Sequence, residues 1–360
     1  MREFTFSTHV KILPWNRYSV KGILIQRNSK TSRGNTYNIC FISKKYTENH
    51  MCTAVNLTGN FHFFGRNLDL HTNYGESVLK VPKNFPLTFR HESILKSKYV
   101  ILGCGLLSDE FPLYFDAMNS EGLCIAALNF PKCAIYGKVS SHLRNICSFE
   151  VIPYILSQCK DVSEAVELLK GVNVTDDNFS TSYPATSLHW LIGDKSSSVA
   201  AEPLETGLTV TDTVSGVLTN SPEYPFHVNN LKRYPQLSPK SPNYPDAPLA
   251  LGTESLPGGL TSEDRFVKAS YLTKSSRKGT SDEERGSFIS ILSSVNVPRG
   301  AVLTENDELH YTVYTSMYET DAKRLTYFSH GRTMPVTVTI DRRETEGTEL
   351  ETVPLHSCQI

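Results

Sequence analysis

The alternation of apolar and polar positions predicts hairpins of β-strands with pairs of helices between them. In the clearest hairpin, CTAVNLT at 52–58 and FHFFGRNLD at 61–69 flank a two-residue turn at Gly59-Asn60. Further strands are predicted at 98–106, 112–119, 122–130, 187–194, 197–204, 207–213, 216–222, 309–318, 324–330 and 335–341. Helical spacing predicts helices over 148–159, 162–172, 262–274 and 282–295, the second with Asp161 as its N-cap.

This order of elements predicts a layered α+β fold. Strands such as YVILGCGLL at 99–107 have no polar face, which favours sheets buried on both sides and covered by helices. Residues 52–360 are enough for one large domain. The segment 234–259, dense in proline, serine and glycine, is predicted to be a long surface loop within that domain.

Composition and charge narrow the possible classes of protein. The chain has 360 residues, of which 39% are apolar and 20% charged, and its net charge is −1. A disordered chain would be less apolar, and the balanced charge gives no general case for binding nucleic acid. We find no apolar run of 18 residues or more, so no membrane-spanning helix is predicted. This near-neutral total is the sum of a net charge of about +7 in residues 1–50 and about −8 in the remainder.

The basic segment 1–51 is predicted to be a non-catalytic leader. It contains neither the apolar core nor the cleavage site of a secretory signal peptide. It is either upstream sequence from a mis-set start or a processed propeptide, and we expect it to be absent from the active enzyme. None of the eight cysteines forms a CxxC pair, which argues against a zinc ribbon, and we expect reduced thiols in the cytoplasm.

The dipeptide Met51-Cys52 marks the most informative position for chemistry. A chain that began at Cys52 would carry a thiol nucleophile and, on the same residue, an α-amine with an ordinary pKa of about 7.7–8.0. That amine can serve as a general base near neutral pH. If residues 1–51 stay attached, the nitrogen belongs to an amide and cannot accept a proton. Catalysis at Cys52 and retention of the leader therefore exclude each other.

Six sequence blocks in the same order resemble the choloylglycine hydrolase family, which includes bile salt hydrolase and penicillin V acylase. The blocks are MCT at 51–53, FFGRNLD at 63–69, FDAMNSEGLCIAALNFP at 115–131, SLHWLIGD at 187–194, GVLTNSP at 216–222 and LPGGLTSEDRF at 256–266. The resemblance covers about 51–340. It implies a four-layer αββα N-terminal-nucleophile hydrolase sandwich, with two stacked, mainly antiparallel sheets and no metal or organic cofactor.

The resemblance also implies a set of catalytic residues. Cys52 is the nucleophile, Arg66 lies near the thiol, and Asp69 holds the α-amine. Asn129 and Asn220 surround the oxyanion, and the family's second active-site arginine is Arg265. Considered without the family, Asn220 reads as an ordinary turn residue and Arg265 as a solvated charge at the start of a helix.

The predicted hairpin places Asp69 and Arg66 on opposite faces relative to Cys52. A two-residue turn pairs Cys52 with Asn67, so that Asp69 shares a face with Cys52. Arg66 then lies on the other face and needs a bulge or a sideways reach to approach the thiol.

Three further residues are predicted to serve packing rather than catalysis. His189 lies within a predicted strand, and nothing in the sequence pairs Cys124 or Cys133 with a base.

The resemblance implies hydrolysis of glycine- or taurine-conjugated bile salts, which are small amphipathic amides. Asn129 favours this substrate, because penicillin-preferring relatives often carry tyrosine there. An acylase for penicillin V or for acyl-homoserine lactones is the alternative with the same chemistry. A catalytically silent binding protein is the alternative if residues 1–51 are retained. We expect a cytoplasmic homo-oligomer, a tetramer by resemblance, that binds neither nucleic acid nor membrane.

Overall fold

The computed structural model describes residues 51–243, 246–304, 306–330, 334–341 and 349–354. The predicted leader therefore lies outside the described residues except for its last residue, Met51. Cys40 and Cys358 lie outside them as well.

Nineteen strands and five α-helices make up the described part of the chain. The first ten strands are β1 (Met51–Thr58), β2 (His62–Leu70), β3 (Ser77–Val81), β4 (Pro86–Leu87), β5 (Leu95–Lys96), β6 (Ile101–Ser108), β7 (Phe111–Asn119), β8 (Cys124–Asn129), β9 (Arg144–Cys147) and β10 (Val172–Thr175). The others are β11 (Leu188–Gly193), β12 (Ser198–Leu204), β13 (Gly207–Asp212), β14 (Val217–Leu218), β15 (Val302–Leu303), β16 (Leu309–Glu319), β17 (Arg324–Ser329), β18 (Val336–Thr339) and β19 (Glu351–Pro354). The helices are α1 (Val151–Gln158), α2 (Val162–Leu169), α3 (Tyr224–Leu231), α4 (Ser262–Ser275) and α5 (Ser281–Ser294).

Two large sheets contain most of these strands. The first has the order β14-β1-β2-β16-β17-β18, with β15 added to β16. The second has the order β13-β12-β11-β8-β7-β6-β3-β19. Every neighbouring pair in both sheets is antiparallel, whereas the short strands β9 and β10 form a separate parallel pair.

The sheets and helices form four layers. Strands β1 and β2 of the first sheet face β8 of the second, while α4 and α5 cover the outer side of the first sheet. Helix α1 packs on β7 and β8, and α2 lies against β13, so both cover the outer side of the second sheet. The predicted α+β fold, with its αββα sandwich, is confirmed. None of the helices in the described ranges is long and apolar enough to cross a membrane.

Local signals explain most helix boundaries. As predicted, Asp161 caps α2, because its carboxylate accepts a hydrogen bond from the backbone N–H of Glu164 at 2.9 Å. Helix α3 was not predicted, since its sequence YPFHVNNL lacks an apolar stripe and buries only Tyr224 and His227. In the predicted loop 234–259, the described residues form one short 3₁₀ turn, Leu251–Thr253.

The predicted register of the first hairpin is wrong by one residue. Thr58 pairs with His62, so the connection has three residues, and Cys52 pairs with Leu68 rather than with Asn67. The carboxylate of Glu284 on α5 accepts hydrogen bonds from the backbone N–H groups of the loop residues Asn60 and Phe61, at 3.0 and 3.1 Å. A side chain more than 220 positions away thus stabilises the longer loop.

Because side chains alternate between the faces of a sheet, the one-residue shift reverses the predicted arrangement of two site residues. Arg66 pairs with Ala54 and projects from the same face as Cys52, without a bulge between β1 and β2. Asp69 pairs with Met51 and projects from the opposite face.

Candidate active site

The thiol of Cys52 lies between the two sheets in direct contact with Arg66. Both side chains are buried, and Nη2 of Arg66 donates to Sγ of Cys52. Nη1 of the same guanidinium donates to the backbone carbonyls of Phe115, at 3.3 Å, and Ala127, which belong to β7 and β8. The second sheet therefore fixes the cation against the thiol carried by the first sheet. A cation in this position stabilises a thiolate.

Arg66 also lies close to Asp116, a buried carboxylate outside the predicted set of site residues. Asp116 accepts hydrogen bonds from the hydroxyl groups of Tyr314 and Tyr318, the second at 2.6 Å. Burial raises the pKa of Asp116, and the positive charge of Arg66 together with the two tyrosine hydrogen bonds opposes that rise. The sequence signal that could have pointed to Asp116 is a charged residue inside the apolar strand FPLYFDAMN.

Asp69 lies on the other face of the hairpin and is fully buried. Thr312 of β16 donates to its Oδ1 at 2.6 Å, while Oδ2 has no hydrogen-bond partner among the described residues. Burial raises the pKa of Asp69 to about 6, although Arg265, Thr312 and Arg66 oppose the shift. No local sequence signal points to Thr312, because it is 243 residues away from Asp69 in the chain.

One buried carboxylate oxygen of Asp69 has no hydrogen-bond partner among the described residues, a setting that suits a cation. Met51 stands opposite Asp69 in the strand pairing, and the peptide bond between Met51 and Cys52 follows it in β1. Cleavage of that bond turns the amide nitrogen of Cys52 into an amine. A buried carboxylate oxygen without a partner is costly, and a neighbouring ammonium group would offset that cost.

Arg265 is buried at the start of α4 rather than solvated. Its Nη1 donates to the backbone carbonyl of Cys52 and to Oγ1 of Thr53, the latter at 2.6 Å, and its Nη2 donates to Oδ1 of Asn220 at 2.8 Å. Burial lowers the pKa of Arg265 from its usual value, against the charge of Asp69. This arginine therefore holds the backbone around Cys52, and the alternative of a surface charge is wrong.

The two asparagines meet beside Cys52. Oδ1 of Asn220 accepts from the backbone N–H of Cys52 at 2.7 Å, and its Nδ2 donates to the backbone carbonyl of Asn129 at 2.8 Å. A side-chain amide has two N–H donors, so the second N–H of Nδ2 is available for another acceptor. Asn129 ends β8, and both asparagine side chains are buried. The structure thus brings all six predicted residues to one place.

His189, Cys124 and Cys133 were predicted to serve packing, and the structure places them in packing positions. The ring of His189 stacks on Phe130 at a centroid distance of 4.1 Å, and its nitrogens contact Glu202 and the carbonyl of Thr219. Cys124 is buried, and burial raises the pKa of its thiol well above the usual range. Burial also raises the pKa of Cys133, which is partly exposed.

Comparisons with known proteins agree with this arrangement. The bile salt hydrolase/transferase of Lactiplantibacillus plantarum is 35% identical over 85% of this chain and 98% of its own length. The conjugated bile acid hydrolase of Lactobacillus acidophilus is 36% identical over 77% of this chain and 92% of its own length. A crystal structure of the conjugated bile acid hydrolase from Clostridium perfringens matches with a TM-score of 0.78 and 30% identity, covering 85% of this chain and 97% of that chain.

A more distant structure shares the fold. Penicillin V acylase from Agrobacterium tumefaciens matches with a TM-score of 0.71 at 20% identity, over 85% of this chain and 92% of that chain. The model of the family described as linear amide C-N hydrolases, choloylglycine hydrolase family, matches residues 52–351, beginning at the buried cysteine. This chain therefore belongs to the choloylglycine hydrolase family of linear amide C–N hydrolases.

Proposed function

We propose that this protein hydrolyses the amide bond of glycine- and taurine-conjugated bile salts, with Cys52 as the nucleophile. The observation that carries the proposal is the contact of Arg66 with Sγ of Cys52 inside a buried site. Relatives named as bile salt or conjugated bile acid hydrolases, at 30–36% identity over most of this chain, support the substrate class.

The proposed first step forms a thioester. The α-amine of Cys52, held by Asp69, accepts the thiol proton, and the sulfur attacks the amide carbonyl carbon. Arg66 stabilises the thiolate, and side-chain N–H groups of Asn129 and Asn220 donate to the oxyanion. The carbon–nitrogen bond then breaks, and the ammonium returns its proton to the departing glycine or taurine nitrogen.

The second step releases the bile acid. A water molecule gives a proton to the α-amine of Cys52 and attacks the thioester carbonyl. The carbon–sulfur bond breaks, the sulfur recovers a proton, and the acyl group leaves as a carboxylic acid.

The active form in this proposal is residues 52–360, without the leader. In the uncleaved chain the Cys52 nitrogen is an amide whose N–H donates to Asn220. Its lone pair is delocalised into the carbonyl group, so it cannot accept the thiol proton. Removal of residues 1–51 would free the base and place it beside Asp69. A form that retains the leader is proposed to bind substrate without turnover.

The test compares two forms of the protein, whose first residue is established by intact-mass measurement. One form carries residues 1–360 and the other begins at Cys52 after removal of an initiator methionine. Each form receives glycine- and taurine-conjugated bile salts and penicillin V in parallel. We expect the form that begins at Cys52 to release glycine and taurine faster than 6-aminopenicillanic acid.

Three outcomes would change the proposal. Faster release of 6-aminopenicillanic acid would make penicillin V the preferred substrate class. Equal activity in a chain with residue 1 retained would exclude the α-amine as the base. Activity that survives Cys52→Ala would exclude the nucleophile.

We also propose that the mature enzyme is a cytoplasmic homotetramer, by resemblance to the family. Light scattering on the purified form that begins at Cys52 tests the subunit number. Cell fractionation tests the compartment. A monomeric mass would contradict the first part, and recovery outside the cytoplasm would contradict the second.

A further inference from the structure

A cluster of side chains with metal-ligating atoms lies near the short parallel pair β9–β10. Among the described residues, one group of three His, Cys, Asp or Glu side chains has ligand atoms within 4.8 Å of one another, namely His91, Cys147 and Asp177. Nε2 of His91 lies 2.8 Å from Oδ2 of Asp177, and Sγ of Cys147 lies 3.7 Å from the same oxygen. Nitrogen, sulfur and oxygen ligands of these three types are those that zinc prefers.

The spacing agrees with tetrahedral coordination. Zinc forms bonds of about 2.0–2.1 Å to nitrogen or oxygen and about 2.3 Å to sulfur. At tetrahedral angles, these bonds place nitrogen and oxygen ligand atoms about 3.3 Å apart and sulfur and oxygen ligand atoms about 3.6 Å apart. The observed sulfur–oxygen distance of 3.7 Å therefore already fits. The histidine ring needs to withdraw from the carboxylate by only about 0.5 Å to admit the ion.

The surrounding structure holds two of the ligand-bearing segments in place. The buried carboxylate of Glu150 accepts from the backbone N–H of Cys147 at 2.9 Å and from that of Arg90, the neighbour of His91, at 2.7 Å. Two chain segments more than 50 residues apart are thus fixed by one side chain. Such support outside the ligand set orients ligands and is usual at metal sites.

The third ligand is oriented in the same way. Thr175 pairs with Cys147 between the parallel strands β10 and β9, and its hydroxyl donates to Oδ2 of Asp177 at 2.7 Å. Cys147 is buried, whereas the side chains of His91 and Asp177 are 23% and 31% exposed. The cluster is therefore rigid on the protein side and open to an ion arriving from solvent.

We propose that His91, Cys147 and Asp177 bind one Zn²⁺ ion through Nε2, Sγ and a carboxylate oxygen, with water as the fourth ligand. Binding releases the thiol proton of Cys147 to solvent and leaves a thiolate–zinc bond. The ion connects the loop after β4, the end of β9 and the segment after β10. It has no part in the chemistry at Cys52, so the proposal does not depend on the proposed function.

Metal content tests this proposal directly. The full chain carrying Cys52→Ala, which removes the other proposed reactive thiol, is loaded with Zn²⁺, dialysed and analysed for zinc per chain. The same protein is then compared after Cys147→Ser, His91→Gln or Asp177→Asn. We expect each of the three added substitutions to lower the zinc content by one equivalent. Cys159→Ser, at another buried cysteine in the same layer, is the matched control and should leave the content unchanged.

Cobalt substitution identifies the ligand atom. Co²⁺ bound in place of Zn²⁺ should give a thiolate-to-metal charge-transfer band that disappears in Cys147→Ser and persists in Cys159→Ser. Equal zinc content in all variants, or a charge-transfer band that survives Cys147→Ser, would overturn the proposal. His91→Gln alters a partly exposed side chain and keeps the test decisive if replacing the buried cysteine prevents folding.

Discussion

Cys52 and Arg66 project from the same face of the β1–β2 hairpin, and the guanidinium of Arg66 donates to the sulfur of Cys52. The same guanidinium is held by carbonyl groups of the second sheet. The packing of one sheet on the other therefore sets the distance between cation and thiol. Asp69 projects from the opposite face of the hairpin, where Thr312 donates to its carboxylate.

Replacing Arg66 with methionine should reduce turnover without removing the nucleophile. Methionine keeps an apolar stem but loses the charged donor to the thiolate, a contact worth about 1.5–3 kcal/mol. We expect kcat/KM for conjugated bile salts to fall roughly 10- to 100-fold. Alkylation of Cys52 by iodoacetamide at neutral pH should slow as well, and peptide mapping measures it.

Arg66→Lys is the matched variant for this prediction. It keeps the charge but cannot contact both sheets with a planar group, so we expect an activity between those of the wild type and Arg66→Met. Circular dichroism tests whether both variants fold. Alkylation of Cys52 at the wild-type rate in folded Arg66→Met would contradict a role of the cation in stabilising the thiolate.

The contact of Glu284 with the hairpin loop should contribute to the stability of the folded protein. Its buried carboxylate accepts from the backbone N–H groups of Asn60, Phe61 and Gly279. Glu284→Ala leaves these donors without that acceptor, and we expect the free energy of unfolding in urea to fall by about 3 kcal/mol. Glu283→Ala, which removes an exposed capping-box residue of the same helix, should lower the free energy of unfolding much less. Equal losses of unfolding free energy in the two variants would contradict the stabilising role of Glu284 at the hairpin loop.

Local sequence signals predicted the layered fold and the main hairpins because alternation and turn residues act between neighbours. The N-cap at Asp161 and helices α4 and α5 follow from the same local rules. Helix α3 has no such signal, since its sequence is polar around most of its circumference.

The details of the site could not be predicted, because they depend on contacts between distant residues. Glu284 of α5 stabilises a loop length that the sequence of the hairpin does not specify, and the one-residue change exchanges the faces of Arg66 and Asp69. Tyr314, which donates to Asp116, is 198 residues away from it in the chain. The family resemblance selected the right neighbours of Cys52, whereas the simple hairpin geometry misplaced two of them.

Asn220 joins Cys52 to Asn129 and Arg265, and its replacement should mainly lower kcat. Asn220→Ala removes a proposed oxyanion donor, and such a loss costs about 10²- to 10³-fold in kcat in other enzymes. KM should change far less, because the donor acts on charge that develops only in the transition state. Steady-state kinetics with a glycine conjugate measure both constants. Asn229→Ala on α3 is the matched control, and a KM-only effect of Asn220→Ala would rule out the oxyanion role.

Asp69 should make the uncleaved chain less stable as the pH rises. Its pKa in the folded protein is about 6, above the ordinary value of 3.8, so the unfolded chain loses this proton first. The protonated Asp69 favours the folded state fully below about pH 4. This stabilisation, about 3 kcal/mol by order of magnitude, is lost as the pH rises to about 6. Asp69→Asn can still accept from Thr312 but does not ionise, so it should remove this part of the decline in urea unfolding. In the form that begins at Cys52, the neighbouring ammonium should favour the carboxylate and reduce the decline. Parallel stability profiles for Asp69→Asn and the wild type in the uncleaved chain would contradict the raised pKa.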